Sequence, residues 1–196
     1  IMEIAKKYNL KVIEDGAQSL GSKYNNINSC NWADISCTSF YPTKSLGCFG
    51  DGGACFTNNK DLYLKIKALK DHGCLERHHH NLIGINGRLD TLQAGILLVK
   101  LKYFNEDLES RRKNANKYYE HLGDSKNITL PKYDNLDYHI YSQFTIKLKS
   151  LEQRDNLLDF LKSKKINVSV FYPTPLHIQE CFKYLNYKKN DFPVAE

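Results

Sequence analysis

The chain has 196 residues, 28 basic against 22 acidic, for a formal net charge of +6, and is 41% hydrophobic and 26% charged. That is ordinary for a soluble globular protein and leaves room for one large domain, or one domain and part of a second. No run approaches the roughly 18 apolar residues a membrane span needs. The basic residues are scattered, without the Lys/Arg stripe and interleaved aromatics of a nucleic-acid face. The opening IMEIAKKYNL reads as an amphipathic helix already under way rather than a leader, and the expected setting is the cytoplasm.

Taken in chain order, Ile1, Ile4, Ala5 and Tyr8 share one helical face. Leu10 to Ile13 reads as a short buried strand that ends in Glu14-Asp15-Gly16, the grammar of an α/β sheet whose ligands gather beyond the strands' carboxyl ends. Lys23 to Asn31 is polar and reads as a loop. Ala33 to Tyr41 alternates as a second strand, closed by Pro42. A stretch rich in glycine follows, with Gly47, Gly50, Gly52 and Gly53, before a strand over Ala54–Thr57 and a helix over Asn58–Lys70. From Thr91 to Leu122 runs a helical zone, either one bent helix or two joined near Phe104-Asn105.

Beyond Pro131 the pattern changes to a strand over Tyr141–Leu148, a helix over Glu152–Lys162 and a strand over Val168–Tyr172. This reads as part of a small α+β domain, so the expected division is 1–125 and 126–196. The closing DFPVAE looks like a helix about to start, with Pro193 at its first turn. Both ends are thus expected to fall inside elements, as in a piece of a longer protein. The six cysteines show no CxxC pair and are expected as buried or half-buried thiols. His78, His79 and His80 are adjacent, and adjacent side chains splay apart, so a plain loop is expected there and no metal.

Lys44 follows a buried strand, stands among the hydroxyls of Ser39, Thr43 and Ser45, and precedes the glycines. Such a lysine either binds a phosphate as a point charge or forms a Schiff base with a carbonyl cofactor. A phosphate-binding loop of the GxxxxGK[ST] kind needs its glycines before the lysine, and here they come after. The Schiff-base reading calls for a carboxylate that keeps a pyridine nitrogen protonated. Asp15, at the end of a strand, is placed to be one, although an Asp there also serves as a helix cap.

At this point four ordered segments carry a resemblance: EDGAQSLG, SFYPTKSLGCFGDGGACFT, GINGRLDTLQAGILLVKL and FYPTPLH with FPVAE. Together they resemble the DegT/DnrJ/EryC1/StrS family of aminotransferases that act on nucleotide-linked keto sugars, along essentially the whole chain. The resemblance implies an α/β chain with the fold-type I, aspartate-aminotransferase-like fold of pyridoxal 5'-phosphate enzymes: part of the large domain's mixed sheet, then part of the small domain. It implies Lys44 as the Schiff-base lysine, Asp15 as the partner of the pyridine nitrogen, Gln18 beside the ring hydroxyl, and Ser39 on the cofactor phosphate. Asn86 is implied to reach the phosphate of a neighbouring subunit, in a homodimer with a shared site. Arg88 and His177 fall in motifs near the site; a structural salt bridge and a satisfied structural histidine are the alternatives for them.

The implied reaction moves an amino group, from glutamate by family habit, to a keto sugar for surface polysaccharide, O-antigen or glycan synthesis. The 3-keto position of a UDP-linked acetamido sugar is the first expectation. The rival is the 4-keto position of a UDP- or dTDP-linked 6-deoxy sugar. A sugar dehydratase of the same fold would carry histidine in place of Lys44. An inactive fragment, or a non-catalytic α/β module that binds nucleic acid, is the reading from another class. Family chains are about twice this length, so the rest of the sheet, a phosphate-binding helix start and a ring-stacking aromatic are expected elsewhere.

Overall fold

A computed structural model describes residues 1–132 and 137–196. These form two units, one built from Ile1–Asp124 with Pro131–Phe144, the other from Ser125–Leu130 with Thr145–Glu196.

The first unit opens with helix α1 (Met2–Lys7), acidic at its start and basic at its end, as the helix dipole favours. Strand β1 (Ile13–Asp15) lies parallel to β4 (Ile35–Ser39), with Ile13 beside Ile35 and Asp15 beside Cys37. Strand β5 (Gly53–Phe56) runs antiparallel on the other side of β4, so the order is β1-β4-β5 and the sheet is mixed. Side chains alternate across a strand. On β4 this buries Ser36 and Thr38 on one face and leaves Cys37 and Ser39 half-buried on the other. A hairpin of β2 (Lys23–Tyr24) and β3 (Ile27–Asn28) fills most of the stretch read as a loop. Its turn residues Asn25 and Asn26 both take positive φ, 47° and 63°, the turn that matches strand twist.

Helix α2 (Lys60–Leu69) is capped by the Asn59 side chain, which accepts from Asp61 N and Leu62 N at 2.9 and 3.0 Å. A second hairpin pairs β6 (Cys74–Glu76) with β7 (His79–His80). The long helical zone is two helices, α3 (Thr91–Leu101) and α4 (Phe104–Leu122), parted at Lys102-Tyr103. The core gathers Phe40, Leu46, Cys48 and Leu97, with Leu20, Ala54 and Phe104 packed around them. In the second unit β8 (Ile128–Thr129) pairs with β10 (Lys147–Leu148); β9 (Asp137–Tyr138) belongs to the first unit and pairs there with β2. Helix α5 (Leu151–Ser163) starts from Ser150, whose Oγ accepts from Gln153 N at 3.2 Å. Two 3-10 turns follow, Leu176–Ile178 and Glu180–Leu185.

Several expected elements differ. Strand β1 begins only at Ile13, which is 71% exposed, so the buried strand over Leu10–Ile13 is not formed. Tyr141–Leu148 is a strand only at its last two residues, and Val168–Tyr172 is not one at all. Both alternate, but a strand exists only where a partner completes its hydrogen bonds. The closing DFPVAE forms turns rather than a helix. Of the six cysteines, all free thiols, Cys55 and Cys181 are exposed rather than buried.

Candidate active site

The adjacent acids Glu14 and Asp15 sit on one strand and therefore point to opposite faces. Glu14 is saturated by protein: its carboxylate accepts from Cys30 N at 2.7 Å, Ser36 Oγ at 2.8 Å and Trp32 N at 3.4 Å. Asp15 is exposed and accepts only from Ala17 N, at 3.0 Å, with no cation in ion-pair reach among the described residues. Its backbone is held by strand pairing, and Gly16 N donates to Cys37 O at 2.7 Å. One carboxylate thus ties the sheet together while its neighbour is left available.

Asp15 ends β1, and Ser39 ends β4 two residues beyond the register partner of Asp15. Strand spacing sets their backbones roughly 8 Å apart, beyond the carboxyl ends of the parallel pair. Cys37 lies on the same face, and burial first, then neighbouring Cys55 and Asp15, pushes its thiol up. It is a protonated, inert neighbour at neutral pH. The Ser39 hydroxyl accepts from Tyr41 N at 3.2 Å, which leaves its own proton to donate. Gln18 is exposed; its carbonyl accepts from Ser142 Oγ at 2.7 Å, so the backbone is fixed, and the amide side chain has no hydrogen-bond partner among the described residues.

Lys44 lies five residues beyond Ser39, in a loop whose ends are closed by Phe40 N donating to Gly52 O at 2.7 Å. Its own N–H donates to Tyr41 O at 2.9 Å, and Ser45 Oγ donates to Leu20 O at 3.2 Å. The side chain is half-buried, without an acidic partner among the described residues. Gly47 lets the loop double back: a Cβ there would come within 2.6–2.8 Å of Pro42 and Tyr41 backbone atoms.

Asn86 and Arg88 lie on the segment that leads into α3. The Asn86 backbone bridges to Asp71, and Gly87 N donates to Lys70 O at 2.8 Å. Arg88 Nη1 donates to Asp71 Oδ1 at 2.7 Å and lies 2.9 Å from His72 Nε2. The Arg88 hydrogen bond and charge hold the Asp71 carboxyl below the usual carboxylate range. Next along, Leu89 packs on Gly52, where an added Cβ would meet Leu89 Cδ1 at 3.0 Å, so this segment runs beside the Lys44 loop. His177 belongs to the second unit, where its Nε2 lies 2.9 Å from Glu196 Oε1. Among the described residues no cluster of His, Cys, Asp and Glu could hold a metal, and His78–His80 belong to the β6-β7 hairpin rather than a plain loop. No helix there is long and apolar enough to cross a membrane.

Sequence reasoning missed Glu14, Gln93 and Lys100. Gln93 Oε1 accepts from Phe49 N at 2.8 Å and Lys100 Nζ donates to Gly47 O at 2.6 Å, both across to the lysine loop. Both lie in the third quoted segment, which was their only signal; no local spacing ties either to the lysine loop.

A mixed sheet carries an acid and a hydroxyl at the carboxyl ends of a parallel pair, followed by a tight loop with a lysine that has no acidic partner among the described residues, the place where α/β sheets gather ligands. The model of the DegT/DnrJ/EryC1/StrS aminotransferase family matches residues 1–196, and the chain belongs to that family. It is 42% identical, over 91% of its length and 49% of the relative's, to UDP-2-acetamido-2-deoxy-3-oxo-D-glucuronate aminotransferase of Pseudomonas aeruginosa. It is 40% identical to a protein called pleiotropic regulatory protein from Geobacillus stearothermophilus, over all of this chain and 52% of that one. Among solved structures it superposes with a TM-score of 0.94 at 30% identity on DesV of S. venezuelae, crystallised with a ketimine intermediate, over 99% of this chain and 52% of the other. The fold is that of the fold-type I transferases. The chain spans about half the length of the curated relatives it matches.

Proposed function

We propose that the protein containing this chain is a pyridoxal 5'-phosphate-dependent aminotransferase acting on a nucleotide-linked keto sugar. The observation that carries the reading is a carboxylate and an amine, Asp15 and Lys44, neither with an ion-pair partner among the described residues, on the strand end and loop where the family's motifs fall. The donor set suits the cofactor: an amine for its aldehyde, an anion for its ring nitrogen, and a hydroxyl proton at Ser39 for a phosphate oxygen. When bound, the cofactor supplies an electron sink for the carbon that loses a proton.

The chain's own residues do the rest. The Asp15 anion favours the protonated form of any nitrogen it touches, because an opposite charge at contact distance stabilises the cation. The Lys44 amine takes a proton from the substrate carbon and returns it. Ser39 donates to phosphate. Gln18 offers an amide beside a ring hydroxyl, and Asn86 extends toward the phosphate of a second subunit in a homodimer with a shared site. Arg88 and His177 contribute substrate contacts only if they leave Asp71 and Glu196, the partners they hold here.

The sugar is a UDP-linked acetamido sugar with a 3-keto group and the amino donor glutamate, in the cytoplasm, for surface polysaccharide, O-antigen or glycan synthesis. The 42% identity to a 3-oxo-glucuronate aminotransferase supports the 3-position over the 4-position.

The test is Lys44→Ala in the full-length protein. The parent, incubated with pyridoxal 5'-phosphate and reduced with borohydride, should carry the label on the peptide containing Lys44. The variant should lose the label and slow transamination by at least about 10²-fold, the low end for a positioned acid–base group. A label on another lysine of the parent overturns the reading.

A further inference from the structure

The loop that carries Lys44 does not hold its shape by itself. Between Phe40 and Gly52 it contributes Leu46 and Cys48 to the core, and Cys48 Sγ donates to Phe40 O at 3.0 Å and lies 3.1 Å from Gly50 O. Its returning arm, Gly47 to Gly50, then meets α3 at Gln93 and at Lys100, while Leu97 between them shares the core with Leu46 and Cys48. Gln93, Leu97 and Lys100 are four and three residues apart, so they line one helical face. Leu97 is in the core; the other two are polar and reach the loop backbone from either end of that stripe.

Each contact has a definite geometry. The Gln93 amide oxygen accepts from Phe49 N at 2.8 Å, and its nitrogen lies so close to Gly50 that an added Cβ would sit 3.0 Å away. Lys100 Nζ donates to Gly47 O at 2.6 Å, partly buried, and stands 5.4 Å over the Phe49 ring. A charged donor on a shielded carbonyl is worth about twice a neutral bond. Gly47 is three residues from Lys44 and packs on the Tyr41 and Pro42 backbone that starts the loop. A pull on the Gly47 carbonyl therefore acts on both arms of the turn that presents the Lys44 side chain.

We propose that Gln93 and Lys100 are positioning residues for Lys44: they clamp the loop's returning arm to α3 and set where the Lys44 amine stands. This rests on the reading that Lys44 carries the cofactor. The same helix follows directly from the Asn86–Arg88 segment, so α3 indexes the lysine loop and that segment to one rigid element. Both act through the loop backbone, at Phe49 N and Gly47 O.

The experiment uses the full-length protein with Gln93→Leu, Gln93→Glu, Lys100→Met and Lys100→Arg. Gln93→Glu keeps an acceptor for Phe49 N, and Lys100→Arg keeps a charged donor for Gly47 O. Two quantities are read: amide hydrogen exchange over residues 45–52, and the rate of borohydride-trapped pyridoxal 5'-phosphate labelling at Lys44 at saturating cofactor. The leucine and methionine variants should exchange at least about tenfold faster in that segment and label Lys44 at least about tenfold more slowly, one decade being about 1.4 kcal/mol. The glutamate and arginine variants should recover most of both.

Unchanged exchange overturns the clamp alone and leaves the role of Lys44 standing. Faster exchange with unchanged labelling shows a loop contact that positions nothing, and overturns the proposal. Labelling of the parent at a different lysine overturns the role of Lys44, and the clamp as a positioning device with it.

Discussion

Glu14 and Asp15 share a residue class and a strand yet do opposite work, because the pleat sends one carboxylate into a cage of three donors and the other into the open. Arg88 shows the same dependence on surroundings. Its guanidinium is spent on Asp71, across 17 residues of sequence, so in this chain the structural salt bridge is the contact it makes. The Asp71 carboxyl is held down by the Arg88 hydrogen bond first, against a partial burial that works the other way, with the charges of Arg88, His72 and Lys70 adding to the lowering. A carboxyl whose folded value lies below its unfolded one stabilises the fold above about pH 4, and that stability is lost as pH falls through the lowered value. Arg88→Met should therefore move the Asp71 titration up toward the ordinary carboxylate range, read by carboxyl NMR. An unmoved titration would show that Arg88 is not the cause. The strand end that carries Asp15 and the glycine loop that carries Lys44 were legible in the sequence, since both are local features. Glu14, Gln93 and Lys100 were not, since their partners lie 16 to 53 residues away.

At the scale of elements, helices were read closely and short strands poorly. α2, α3, α4 and α5 follow their apolar spacing, with capping at Asn59 and Ser150 marking two starts. The two-residue strands exist only through their partners, and β2 pairs with β9 more than a hundred residues on. The Asn25-Asn26 turn that joins β2 to β3 lies in the stretch read as a polar loop. Within α3, Gly95 departs from helical preference at an exposed position where an added Cβ would meet nothing within 4 Å. Gly95→Ala should raise the stability of the full-length protein by about 1 kcal/mol, the propensity difference inside a helix, measured as a higher urea midpoint at unchanged slope. A loss of stability instead would reveal a surface lying against Gly95 that this chain does not itself supply. That outcome would matter, because α3 carries both the clamp and the segment proposed to face a second subunit.

The whole molecule exposes far more surface than its mass needs. Its accessible area is 15581 Å². Two separate compact bodies of the two units' sizes would expose roughly 11,000 Å² between them, so the excess does not depend on how the units are arranged. Much of it is apolar: Ile83 is 98% exposed, Leu92 83% and Phe49 74%, and Ile13 on the outer strand β1 stands open as well. Among the described residues strand β1 pairs with β4 alone, so its other edge offers backbone groups that invite association with another strand. Apolar patches of this extent mark surfaces that further protein covers. The 196-residue chain produced alone should therefore aggregate, bind a hydrophobic dye such as ANS, and fail to retain pyridoxal 5'-phosphate through gel filtration. The full-length protein at the same concentration should be monodisperse, dark to the dye and able to keep its cofactor. Light scattering, dye fluorescence and the absorbance of the eluted peak distinguish the two. Clean, dye-dark behaviour of the chain alone, with cofactor retained, would mean that Lys44, Asp15 and Ser39 make a sufficient site and that the exposed faces rearrange to cover themselves. Aggregation with cofactor loss would place the missing part of the grip in the protein that covers β1 and α3.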